Sequence, residues 1–168
     1  MTSPTPHPLH RLFQDWLPEC DFGVLHHGFS GHGRDYVLEI ELGAVATAPG
    51  RYELLFTHVT ALTYETRVGD DVWPISWDDS FIDHETWIKA GEPEGYVWGT
   101  NWSLAYPGIS AIQDSPIAET WAKRIGKPFF EASLETDRFL LSLVFHDLRT
   151  KKTSEISDTV DQVVIPLK

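Results

Sequence analysis

RYELLFTHVTALTYETRVG, residues 51–69, decides how this chain is to be folded. The stretch is rich in leucine, threonine, valine and tyrosine, the residues that suit a pleated, half-buried surface. Its 19 residues exceed an ordinary strand of about 3–10 residues. A bend, bulge or turn is therefore expected near His58 to Ala61. Gly69, Asp70 and Asp71 close the stretch, and APGR at 48–51 supplies a turn signal before it.

Upstream, Tyr36, Leu38, Ile40 and Leu42 alternate with Val37, Glu39 and Glu41, the pattern of a half-buried strand. Downstream, FFEASLE and RFLLSLVFH flank Thr136 and Asp137 and predict a hairpin. TSEIS and DQVVIPL read as further strands. RYELLFTHVTAL also echoes RFLLSLVFHDLR: arginine, an aromatic, leucines, phenylalanine, histidine. Strand composition accounts for that echo without a duplication.

Helical signals are fewer. Leu9, Leu12, Phe13, Trp16 and Leu17 form one stripe that Pro18 ends, a helix over 8–17 expected to lie on the sheet as a lid. DHETWIKAG suggests a short helix capped by Asp83 and stopped by Gly91. DSPIAETWAKRIGKP is the clearest, with Ser115 as cap, Pro116 at the first helical position, and Gly126 and Pro128 as stops. Two main helices and about seven consecutive strands make an α+β, mainly β domain. The expected architecture is an antiparallel curved sheet, a half-barrel or sandwich, with an N-terminal helix and one helix near 115–125.

Length is consistent with one domain over 1–168, its first seven residues expected to be frayed from the three prolines Pro4, Pro6 and Pro8. Such a chain buries roughly 70% of its unfolded surface and needs no metal or disulfide to fold. The single cysteine, Cys20, excludes an internal disulfide and a cysteine-based zinc site. No apolar run of signal-peptide or membrane-span length is present, so a cytoplasmic location and no membrane contact are expected.

The charge is informative. With 25 acids against 13 bases the net charge is −12, which argues against a nucleic-acid partner. Between Glu65 and Glu94 stand nine acids (Glu65, Asp70, Asp71, Asp78, Asp79, Asp83, Glu85, Glu92, Glu94) and two bases, Arg67 and Lys89. Trp73 and Trp77 lie among them. Solvated surface is the ordinary use of such a run. An aromatic ringed by acids is also the composition of an interface for a basic protein partner.

HHGFSGHGRDY, residues 26–36, brings together three histidines and three glycines. The glycine order, G-x-x-G-x-G, reverses the dinucleotide fingerprint, and a strand follows where a phosphate loop needs a helix N-terminus. A connection between strands explains the stretch. A metal site would need His26 or His27, which as neighbours point to opposite strand faces, plus His32, His58 or His146 and a carboxylate such as Asp147, the fullest set being His26 or His27 with His58, His146 and Asp147. That set is the basis of an alternative reading as a metal-dependent enzyme. Its ordinary reading is histidines bonded locally at sheet positions. Acidic neighbours would disfavour a thiolate at Cys20, no G-x-S-x-G elbow occurs, and the paired aspartates stand in turn-like sequence unsuited to a glycosidase acid. No cofactor is implied.

The segments HGFSGHGRDYVLEIEL, RYELLFTHVTALTYETRV, WDDSFIDHETW, GEPEGYVWGTNW and FLLSLVFHDLR resemble the YxiG-like family of bacterial proteins, over about residues 20–167. The layout is also similar to small bacterial immunity proteins. That likeness implies a non-catalytic role beside a secreted toxin, with Asp70, Asp71, Trp73, Trp77, Asp78, Asp79, Asp83, Glu92 and Glu94 as the partner-binding face expected from composition.

Overall fold

The computed structural model describes residues 5–15, 22–44, 46, 48–67, 69–70, 88–89, 91 and 103–155. In chain order these form α1 (Leu9–Asp15), β1 (Phe22–Phe29), β2 (Tyr36–Leu42), β3 (Gly50–Thr57), β4 (Ala61–Thr66), β5 (Ser103–Ile112), α2 (Pro116–Ile125), β6 (Phe130–Thr136), β7 (Phe139–Phe145) and β8 (Asp147–Ser154). The strands make one sheet in the order β4-β7-β6-β5-β1-β2-β3-β8. All the pairings are antiparallel.

The 51–69 stretch does bend. β3 stops at Thr57, His58 takes a left-handed φ of 51°, and β4 starts at Ala61. A second long segment bends beside it, because only His146 separates β7 from β8. Thr57 pairs with Asp147 on one side of the bends and Ala61 with Val144 on the other. Between them the His146 N–H donates to Thr57 O and the Thr60 N–H to Val144 O, both at 2.9 Å. The two echoing segments are thus partners along one bent ladder. Since β7 also pairs with β6 and β3 with β2, the sheet curls until its ends share these two strands.

The curl encloses one core. Leu38, Ile40, Leu42, Leu54, Phe56, Leu141 and Phe145 are fully buried on its inner face, joined by Phe22, Val24, Ala105, Ile109, Leu134 and Leu148. Burying each of the large side chains contributes about 1.5–3 kcal/mol. Strand β2 keeps the expected alternation, its even-numbered residues in and Glu39 exposed. Leu9 and Leu12 of α1 enter the same core, which bears out the lid. The expectation of fraying does not hold as far as His7. That residue is buried, accepts the Leu9 N–H at Nδ1, and so carries its proton on Nε2, which donates to Glu131 O at 2.9 Å. Burial holds its pKa below the usual histidine range.

Helix α2 is built as its sequence requires. Ser115 Oγ accepts the Ala118 N–H, Pro116 opens the helix, and Gly126 (φ 73°) closes it with its N–H on Ala122 O. Ala118, Trp121 and Ala122 cover Phe129 and Val144 on the outside of β6 and β7. Two strand expectations need correction. The hairpin loop is Asp137–Arg138, one residue later than read. Of TSEIS, Thr153 and Ser154 are the tail of β8, which begins at Asp147. The sequence LRTKKTS is nearly all polar, as suits an exposed edge strand, and so lacks the alternation that reveals a strand. The Asp83 cap, most of the DHETWIKAG helix and DQVVIPL lie outside the described residues; Gly91 donates its N–H to Ile88 O.

Candidate functional site

The bends create a groove. On one side is the β1–β2 loop, Ser30–Asp35, closed by the Ser30 N–H on Asp35 O and the Gly33 N–H on Ser30 O, both at 2.8 Å. Asp35 is buried (5% exposed) and turns towards the β3–β4 bend. Its carboxylate accepts Arg34 Nε–H and Nη2–H, each at 2.9 Å, and the His58 N–H, also at 2.9 Å. The Arg34 guanidinium, helped by that N–H, holds the Asp35 carboxyl well below the usual carboxylate range. The Val59 N–H returns to Arg34 O. The loop and the bend are therefore clasped, and the left-handed backbone of His58 is held from both sides.

On the other side, His146 places Nδ1 2.7 Å from Pro128 O. A carbonyl only accepts, so Nδ1 carries a proton, and Nε2 has no hydrogen-bond partner among the described residues. The His58 and His146 rings meet edge to face with centroids 5.8 Å apart, and Phe129 lies 5.8 Å from His146. Arg34, His58, Ile125, Lys127, Phe129 and His146, with Val59 and Thr60, line a groove of about 250 Å³.

A second cluster is aromatic. A bulge between Val24 and His26 resets β1, so that His26 is exposed and His27 turns inward beside Tyr36, Tyr64 and Phe139. His27 Nδ1 lies 2.6 Å from Tyr36 Oη. Burial, with a smaller push from His26, lowers the His27 pKa, and burial pushes Tyr36 up to about 12. Both groups are neutral near pH 7. Phe29 and Tyr64 present the exposed rim, at 50% and 52%. Close by, the Arg67 N–H donates to Arg138 O and the Asp137 N–H to Leu104 O. The chain thus leaves β4 and re-enters β5 on either side of the β6–β7 turn.

Of the expected metal set, His58 and His146 come together and the others do not. His26 faces away, His27 sits in the aromatic cluster, and Asp147 meets Thr57 through its backbone, accepting Thr57 Oγ1–H at 3.3 Å. Among the described residues no three His, Cys, Asp or Glu side chains converge as a metal site would need. Of the expected partner face, Asp70 is described and exposed. Asp71, Trp73, Trp77, Asp78, Asp79, Asp83, Glu92 and Glu94 lie outside the described residues. Sequence reasoning missed Arg34, Asp35, Lys127, Tyr36 and Tyr64. The only local signal was a polar Arg-Asp pair at the end of a glycine turn.

A curled antiparallel sheet with one helix lidding its core and one on its outer face defines a small β-rich domain. The chain belongs to the YxiG-like protein family, whose profile matches residues 5–161. No curated protein matches the sequence. A crystal structure of an uncharacterized protein from Neisseria gonorrhoeae is similar over 79% of this chain and 92% of its own, at 7% identity and a TM-score of 0.37. That likeness is too distant to carry an argument. Among the described residues no helix is long and apolar enough to cross a membrane.

Proposed function

We propose that this chain is a non-catalytic, immunity-like binding protein that acts in the cytoplasm and blocks a basic toxin domain. The surface it uses is the acidic, tryptophan-bearing segment from Glu65 to Glu94. The carrying observation is the charge: nine acids against two bases in that segment, within a chain of net charge −12. One of the two bases, Arg67, is engaged by Glu135 of β6. Arg67 within the segment and Leu104 beyond it both bond the β6–β7 turn, whose strands line the core. An acidic face on such a support attracts a basic partner from a distance and fixes its approach. Trp73 and Trp77 supply the large anchors on which interface affinity concentrates.

The test replaces Asp70, Asp71, Asp78 and Asp79 together by Asn and follows association with the cognate toxin domain at several salt concentrations. The on-rate should fall about tenfold or more at low salt, and its salt dependence should flatten. An unchanged on-rate and salt slope would remove this face from consideration.

A further inference from the structure

We propose that the groove at the paired bends binds a small organic anion, a carboxylate or phosphate head carried on a compact apolar body. The groove is built from elements other than the acidic segment, and this inference does not rest on that segment's role.

The chemistry of the lining is one-sided. Arg34, Lys127, His58 and His146 bring cationic or donor groups, and Ile125, Val59 and Phe129 bring apolar surface. Among the described residues the lining contains no carboxylate. In a chain of net charge −12 such a patch runs against the prevailing charge. Asp35, the neighbouring acid, is buried and accepts two of the five guanidinium N–H groups of Arg34, which leaves three for a ligand. Lys127 is exposed and makes no ion pair among the described residues. A cation would meet this rim unfavourably, and two imidazoles alone do not complete a metal's coordination.

The site is also held in place. His58 has the left-handed backbone that residues other than glycine adopt at a cost, and the Asp35 carboxylate fixes it through the His58 N–H. His146 is oriented through Pro128 O. Both rings are therefore positioned by contacts that leave their remaining nitrogens for a ligand. The volume of about 250 Å³ equals roughly eight waters at their liquid volume, enough for a single ring with its charged head. The apolar part would lie on Phe129 and Ile125, and the head between Lys127, Arg34 and the imidazoles.

The experiment titrates the full chain with benzoate, phenyl phosphate, inorganic phosphate and benzylamine, following the His58 and His146 ring resonances by NMR. Benzoate or phenyl phosphate should shift both rings saturably, and which of the two is tighter identifies the head. Inorganic phosphate should bind about tenfold more weakly than phenyl phosphate, and benzylamine should have no saturable effect. Lys127→Ala, at an exposed position, and His58→Asn, which tolerates the left-handed backbone, should each weaken binding about tenfold while the thermal melt is retained. Benzylamine acting as well as benzoate, or both variants binding like the parent, would overturn the proposal. Phosphate matching phenyl phosphate would overturn the apolar body.

Discussion

His58 and His146 face each other edge-on, 5.8 Å between ring centroids, because each stands at the bend of one of two long strands that run side by side. The similar wording of these strands follows from a shared task. Each lines the core with alternating large residues, Tyr52, Leu54 and Phe56 in one and Phe139, Leu141 and Leu143 in the other, and each then turns the sheet. One structural event, the paired bend, both closes the curl and forms the groove.

Asp35 holds that event together, so its replacement should be felt in stability. Asp35→Asn weakens the Arg34 clasp and the bond to the His58 N–H, at a cost of about 1–3 kcal/mol for a buried, charge-assisted network. The pH dependence has a definite sign. The folded carboxyl titrates below its unfolded value of 3.8, so in that window the unfolded chain binds more protons. The stabilisation is complete above pH about 4 and is lost as pH falls through the folded value. Denaturant melts from pH 2 to 7 should therefore show a steeper acid loss in the parent than in Asp35→Asn. Parallel curves would mean that the clasp adds nothing.

His27 gives a second titration, at milder pH. Burial lowers its pKa from 6.5, so below that value the unfolded chain takes up a proton that the folded chain resists. Stability should be fully present above pH about 6.5 and decline as the pH falls towards the folded value. His7, lowered for the same reason, adds to the slope. NMR should place the His27 ring midpoint below 6.5, and His27→Gln should reduce the dependence between pH 5 and 7. A His27 midpoint at or above 6.5 would show that the ring is solvated and the aromatic packing wrong.

Much of the fold was legible because it follows local rules. The alternation from Tyr36 to Leu42, the Ser115 and Gly126 caps, and the excess length of 51–69 each state their structure within a few residues. β8 was not legible, since an edge strand that buries only Leu148 needs no apolar pattern. The groove was less legible still. Its decisive contact joins Asp35 to a backbone N–H 23 residues away, and nothing in the composition of either stretch announces it. The histidine pair is half visible: the sequence singles out His58 and His146, but brings them together only under the alternative reading of a metal site. A shared bend is what brings them together.

The glycines make a sharper distinction than the turn signals suggested. Gly50, at φ 141°, would place a new Cβ 2.8 Å from Ser154 O and 2.6 Å from Lys152 Cε. The lysine can swing aside, but the carbonyl belongs to the paired β8 backbone. Gly50→Ala should therefore cost more than about 1 kcal/mol. Gly31, in the histidine-rich loop, has open space around it, and Gly31→Ala should be within about 0.5 kcal/mol of neutral. Equal thermal melts for the two variants would contradict the β3–β8 pairing at this end.

Thr136 tests the β6–β7 turn, to which Arg67 and Leu104 are bonded. It is completely buried at the end of β6, and its hydroxyl is fully used. Oγ1 accepts the Arg138 N–H at 3.1 Å and the Phe139 N–H at 2.9 Å, while its own proton goes to Phe139 O at 3.1 Å. Thr136→Val preserves the shape but strands these backbone groups, at a cost of about 2–3 kcal/mol. Thr136→Ser keeps the hydroxyl and loses one methyl, about 1 kcal/mol. Valine should therefore lower the melting temperature more than serine, by about 2–4 °C for each kcal/mol separating them. The opposite order would mean that packing, not the hydroxyl, holds the turn. Because Arg67 and Leu104 are tied to Arg138 O and the Asp137 N–H, the valine variant should also raise hydrogen exchange at Arg67 and Asp137, while that at Leu54 in the core stays slow.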